Sequence, residues 1–293
     1  MSKSTLSAGQ LAPLLNGYVV SHGPPRTIIV PKASSLAGLQ DITLSGTLLR
    51  KQFVTLDPMT GKRTAALAAA GGRYITQSAD GDLHFCLGVK QLQPHIACEL
   101  QNAKAWLATF NQGIGTGIVV SGFFRCLFEH PGFNPKDDAH IFEVHPVRAV
   151  SLSGRLHAFN VDIPEQKSIH TWTAPHPLNA QDARIKVHYD KAKDTLTFSD
   201  MDGQDENYVR VQGSVSQIRL NTSGGAPASF TFASPDIGHP LRAYCLQGTA
   251  AARQLRQLAK PEITMIALRN IDLAQALKNR YVISLLVIDI TVL

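Results

Sequence analysis

Three histidines and three carboxylates fall between positions 130 and 145: His130, His140, His145, Asp137, Asp138 and Glu143. Imidazole nitrogens and carboxylate oxygens are the donors that zinc and related cations take, three or four at about 2 Å. On a strand, Glu143 and His145 share a face, because the side-chain period is two. Two readings compete. One is a metal site, and the other is a His145 that hydrogen-bonds backbone near the mouth of a barrel. The second is the expectation, so neither a metal ion nor another cofactor is predicted.

Hydrolysis of a phosphodiester would need clustered carboxylates with an arginine to meet phosphate charge. Asp80, Asp82 and Glu99 with Arg125 supply the residue types. Nothing in their spacing forces them together, and Asp80-Gly81-Asp82 reads as a turn. The glycines of the run Gly113, Gly115 and Gly117 follow an apparent helix instead of opening one, which is the place of a helix end and turn. No nucleophile elbow, phosphate-cradling loop or zinc-protease helix is present. An enzyme is therefore the third reading, after two kinds of binding protein.

The first of these is single-stranded nucleic-acid binding, which stacks bases on aromatic rings and tracks phosphates with cations. Phe85, Phe124, Tyr208 and Tyr244 are the candidate platforms. Arg50, Lys51, Arg125, Arg148, Arg210 and Arg219 are the candidate phosphate contacts, with Arg242 beside them. For each ring the competing reading is core packing. The chain carries 28 Lys and Arg against 22 Asp and Glu, a formal charge of +6. That suits a polyanion partner but speaks to association, not to fold.

The elements that would position these residues are mostly strands. Ile42–Val54 reads as a long first strand with Gly46 as a possible bulge. Leu83–Val89 and His95–Leu100 follow, then a short helix at Ala103–Asn111. Ile118–Phe128 and His140–Leu152 are the next strands, and Pro146 marks a bend or bulge in the last. Ala65–Gly72 reads equally as a short helix or a small-residue loop. In the second half a hairpin is expected at Arg184–Tyr189 and Thr195–Phe198. Tyr208–Leu220, Ser229–Phe232 and Leu241–Leu246 are strands. The helix Thr249–Lys260 is capped by Thr249 and stopped by Pro261. Ile263–Asn270, a short helix opened by Asp272 and Tyr281–Leu293 complete the chain.

Each half thus runs strand, strand, strand, helix, strand, strand. That order belongs to the OB barrel, a five-stranded Greek-key barrel with a helix between its third and fourth strands. The predicted fold is mainly β with short helices, as two OB-like Greek-key barrels in tandem. The expected organisation is an N-terminal extension (1–41), a first barrel (42–156), a linker (157–180) and a second barrel (181–293).

The first half also resembles a group of uncharacterised bacterial OB-fold-like domains. HIFEVHPVRAV at 140–150 is similar to their last strand, which ends in His-Pro-Val. GDLHFCLGV at 81–89 is similar to their Asp-Gly-Asp, aromatic and His strand, and HIACELQN at 95–102 to its partner. GIVVSGFF at 117–124 resembles their V-x-V-x-G strand with its following Phe. The resemblance spans about residues 42–152 and departs in the loop 129–138. It implies a fold and carries no catalytic residues.

Two features bear on partners and compartment. Tyr281–Leu293 is apolar on both faces, so something must cover the second face. This supports the alternative function, a protein-binding assembly subunit or adaptor, self-associating through its C-terminal strands. Cys86, Cys98, Cys126 and Cys245 form no close pair and sit in apolar stretches, as buried reduced thiols do. The N-terminal residues show no secretory pattern, and the longest apolar run is too short to span a bilayer. A cytoplasmic protein without membrane contact is expected.

Overall fold

A computed structural model describes residues 5–15, 19–21, 26–49, 52–56, 63–67, 76–77, 82–88, 96–101, 103–130, 140–159, 161, 169–173, 177–201, 208–220 and 227–293. Five strands build the first barrel: β1 (Asp41–Leu49), β2 (Leu83–Gly88), β3 (Ile96–Leu100), β4 (Gly117–His130) and β5 (His140–Leu152). β1 pairs antiparallel with β2 and with β4. β2 pairs with β3, and β4 with β5. β3 lies parallel to β5, with Ala97 opposite Glu143. The ring therefore closes in the order β1-β2-β3-β5-β4-β1.

The second barrel repeats that ring strand for strand. Its members are β6 (Tyr208–Arg219), β7 (Ala228–Ala233), β8 (Leu241–Cys245), β9 (Glu262–Ile271) and β10 (Ile283–Val292). β6 pairs with β7 and β9, β7 with β8, and β9 with β10. β8 and β10 run parallel. Helix α1 (Leu107–Gln112) sits between the third and fourth strands of one barrel, and α2 (Ala250–Arg256) does so in the other. A closed five-strand ring with one parallel pair and a helix at that point is the OB barrel. The fold is two of them, as the order of elements predicts.

Local chemistry accounts for the boundaries. Thr249 caps α2 by accepting the backbone N–H of Ala252, and Asp272 caps the turn Leu273–Ala276 by accepting that of Gln275. The expected bulge at Gly46 is absent, since β1 runs against β4 in continuous register there. Gly46 instead lets the helix Ala8–Leu15 approach, for a Cβ would lie 3.0 Å from that of Ala8. The bulge lies one strand over. Register between β4 and β5 shifts on either side of Gly122, which pairs with Val147, and the neighbouring Pro146 has no N–H to give the ladder. The first strand ends at Leu49, and Gln52–Leu56 forms a hairpin with Arg63–Leu67, so the stretch read as helix or loop contributes a strand.

A separate four-stranded sheet lies outside the barrels. The hairpin Lys186–Asp190 and Thr195–Ser199 pairs with Thr27–Pro31, which in turn pairs with Val19–Ser21. The ring of Phe198 meets Phe128 of β4 at 4.9 Å, so this small sheet packs on the first barrel.

The apolar second face of β10 is covered from within the chain. Leu285 and Val287 belong to the main core. Leu286 and Ile288 join Phe123, Tyr208, Tyr244, Ile266 and Leu268 in a second buried cluster. Phe123 comes from the first barrel, so this cluster is the seam between the barrels. All four cysteines are buried and free. Among the described residues no helix is long and apolar enough to cross a membrane.

A Cβ on Gly122 would stand 2.5 Å from the carbonyl oxygen of Pro146 and 2.7 Å from Val144. Gly122→Ala should therefore cost about 1–3 kcal/mol, as overpacking does. Gly117→Ala, with nothing within 4 Å of the added carbon, should stay within about 0.5 kcal/mol, as a surface change does. Urea unfolding of the two variants measures the difference.

Candidate functional site at the barrel junction

Alternation along β2, β3, β4 and β5 turns one set of side chains into the first barrel and the other outward. Phe85, Cys98, Phe124, Phe142 and Val144 point in. His84, Glu99, Arg125, Glu143 and His145 take the outer face, where the second barrel lies against them. Register sets the neighbours, with His84 opposite Glu99 and Arg125 opposite Glu143.

The result is a polar island in an otherwise apolar seam. Arg125 is 1% exposed, Glu143 4%, His145 1% and Asp82 2%. The guanidinium of Arg125 donates from Nη1 to Glu143 Oε1, and from Nε to the backbone oxygen of Arg269 at 2.9 Å. His145 Nδ1 lies 2.9 Å from Glu99 Oε2 and 3.2 Å from Glu143 Oε1. Its Nε2 lies 2.9 Å from the phenol of Tyr208, on the first strand of the other barrel. Gln101 donates to the same phenol. His140 Nε2 meets Glu143 Oε2 at 3.2 Å, and His84 Nδ1 meets Glu99 Oε1 at 3.2 Å.

Burial pushes carboxylic acids up, yet both glutamates are held down. Against that desolvation, His84 and His145 bring Glu99 to about 2. Against the same penalty, Arg125 with hydrogen bonds from His140 and His145 keeps Glu143 well below the usual range. Burial pushes the His145 imidazolium down, but Glu99 and Glu143 carry it up to about 10. Tyr208 is pushed well above an ordinary phenol, first by burial and then by Asp82. Ionised glutamates, a cationic His145 and a neutral phenol form a set in which each charge has a partner.

A second buried arginine belongs to the second barrel, and its side chain points away from the seam residues Ile266 and Leu268. Arg269 is fully buried, bonded through Nη2 to both oxygens of Asp182 at 2.9 and 2.7 Å, with its Cζ 5.2 Å from the ring centre of Trp172. Next to it, Asn270 accepts the backbone N–H of Cys126 and donates to Ser284 Oγ, both at 2.8 Å.

The candidate residues named from sequence fall in three places. Phe85 packs inside the first barrel at 5.0 Å from Phe110, and Phe124 stacks on Phe142 at 5.6 Å. Tyr208 and Tyr244 lie in the seam, the latter against Phe123. All four rings are buried, because the strand faces that carry them are covered by core or by the other barrel. Arg125 is part of the island, and Arg148 is paired with Asp41 at 3.0 Å. Arg210 and Arg219 lie on the outer side of β6, half-buried and exposed respectively. Arg50, Lys51, Asp80, Asp137 and Asp138 lie outside the described residues, as does the side chain of His130.

Of the histidine cluster, His140, Glu143 and His145 do come together, joined by Glu99, Asp82 and Arg125. His84, Gln101, Arg269 and Asn270 were not singled out by sequence. Three of them stood as polar residues inside apolar strands, His84 in LHFCLG and the pair Arg269-Asn270 in EITMIALRNI, while Gln101 directly follows the strand IACEL.

No known protein family matches the chain, and no curated protein does. Among solved structures it is similar to the single-stranded DNA binding protein from Thermus aquaticus. A deletion mutant of that protein is 14% identical over 96% of this chain and 90% of the other, with a TM-score of 0.23. The wild-type protein is 12% identical over 87% and 93%, also with a TM-score of 0.23. The fold assignment rests on the strand register, which stands without them.

Removing either partner of the island leaves a buried group exposed to an apolar seam. Arg125→Met strands the Glu143 carboxylate and should cost about 3–5 kcal/mol. Tyr208→Phe removes one neutral hydroxyl and should cost about 1–3 kcal/mol. Denaturant unfolding checks that order, and a smaller loss for Arg125→Met than for Tyr208→Phe would refute the charge balance given above.

Proposed function

We propose that this protein binds single-stranded nucleic acid without catalysing its breakdown, along the outer face of β6, β7 and β8. The supporting observation is the make-up of that face. These three strands contain Arg210, Arg219 and Arg242 and no Asp or Glu. Gln212, Ser216, Arg219 and Arg242 are exposed, with Arg210 and Thr231 half-buried. Ser216, Thr231 and Arg242 stand side by side across the three strands. OB barrels take oligonucleotides on this part of the ring, across the second and third strands and the adjoining loops.

Stacking falls to rings other than those first considered. Trp106 is half-buried, with the rings of His157 at 4.8 Å and Phe159 at 5.1 Å. Exposed Lys104 and Arg155 stand two residues before Trp106 and His157. An aromatic group beside cations is what a sequence-tolerant single-strand path uses.

Fluorescence anisotropy of a labelled oligothymidylate tests the reading. Affinity should fall as salt rises, with a slope of about −0.7 per phosphate contact in the logarithmic plot. Arg219→Glu with Arg242→Glu should weaken binding and flatten that slope by about 1.4, which is two contacts at ~0.7 each. Lys191→Glu, on the small sheet, should change neither. The reading fails if low salt produces no anisotropy rise, or if the double variant binds like the parent.

A further inference from the structure

We propose that Glu99, His140 and Glu143 form a binding site for a divalent first-row metal cation at the edge of the barrel junction. One donor atom from each of the three lies within 4.8 Å of the other two. His140 Nε2 and Glu143 Oε2 are 3.2 Å apart. Two ligands of a tetrahedral ion with bonds of about 2.0–2.1 Å stand roughly 3.4 Å apart, so this spacing suits a shared cation.

The strands hold the donors without help from a loop. Glu143 and His140 are both on β5, and Glu99 is on β3, which runs parallel beside it. Both carboxylates are oriented by neighbours. Arg125 takes Glu143 Oε1, while His84 meets Glu99 Oε1 and His145 meets Glu99 Oε2, so a cation would take the place of His145 at that oxygen. Metal-ligating groups characteristically carry such outer partners, which set their orientation. Asp82, Glu99 and His145 form a second group of the same kind that shares Glu99. It lies deeper, with Asp82 and His145 at 2% and 1% exposure. The side chains of His140 and Glu99 each keep 10% of their surface exposed. A cation therefore reaches the outer group without parting the barrels.

The donor set selects the class of ion. One imidazole with two carboxylates suits zinc, manganese, iron or cobalt, and three protein ligands leave further positions for water. The role that fits is structural. The group ties the third strand to the fifth where the first barrel's outer face carries two anionic glutamates. Burial leaves no room there for a substrate of any size.

The test uses the full chain, stripped with a chelator and dialysed. Titration with zinc chloride and manganese chloride by calorimetry should give one ion per chain for at least one of them. Cobalt chloride should give a visible absorption band of a protein-bound ion. His140→Gln and Glu99→Gln should weaken the binding by about tenfold or more, while His157→Gln, away from the junction, should leave it unchanged. Thermal unfolding should move up with metal concentration in the parent and not in His140→Gln. If Glu99→Gln does not fold, His140→Gln carries the comparison alone, its side chain being the more peripheral. Substoichiometric uptake of all three ions, or an unaltered affinity in His140→Gln, overturns the site.

Discussion

The imidazole of His145 stands between two glutamates of its own barrel and the phenol of Tyr208 in the other, and the rest of the architecture turns on that placement. Ionised carboxylates this deeply buried are tolerated only when cations and donors meet them closely. Glu99 and Glu143 have His84, His140, His145 and Arg125 for this purpose. The first barrel supplies these partners. The second supplies what completes them, a phenol for His145 and a backbone carbonyl for Arg125. Neither barrel alone supplies the whole set of partners.

The duplicated topology is put to two different uses. In the first barrel the outer face of the second and third strands, with the fourth and fifth, is sealed by the second barrel and carries a buried charge network. In the second barrel Tyr208 and Tyr244 of the corresponding face also enter the seam, and the remainder of that face, with Arg210, Gln212, Ser216, Thr231 and Arg242, is half-buried or exposed. Its fourth and fifth strands provide the apolar half of the seam, through Ile266, Leu268, Leu286 and Ile288. Packing one barrel's sheet against the other's closing strands thus decides which face remains exposed. The small sheet built from Val19–Ser21, Thr27–Pro31, Lys186–Asp190 and Thr195–Ser199 packs elsewhere, against Phe128.

Much of this was legible because strands write themselves into sequence with a period of two and turns with Gly, Pro and Asp. The closing strand His140–Leu152 has the bounds that its pattern predicts. The caps Thr249 and Asp272 act as helix starts should. What sequence could not supply is which outward face is covered. Alternation tells that Phe124 and Arg125 point opposite ways, and nothing local says that the outward one faces another barrel. Arg125 therefore reads as a phosphate contact until its partners, 18 and 144 residues away, are placed. The same holds for Tyr208, which reads as a platform and serves as a bridge. The two-sided β10 announces a cover without naming it, and the hairpin near residue 190 gives no hint that its partner strand lies near residue 30.

A purely apolar seam would bury comparable area with less electrostatic cost, so the polar island needs a reason beyond adhesion. Apolar contact is tolerant of sliding, because Leu286 or Ile288 packs nearly as well after a small translation. The hydrogen bonds do not share that tolerance. Consecutive residues Arg125 and Cys126 on one barrel engage consecutive residues Arg269 and Asn270 on the other, at 2.9 and 2.8 Å. A shift of one residue along either strand would point both pairs away from each other and leave an arginine and an amide unmet in the interior. Tyr208 adds a third fixed point on a different strand. Three points define an orientation as well as a register, so the polar contacts fix how one barrel is turned on the other as well as where it sits.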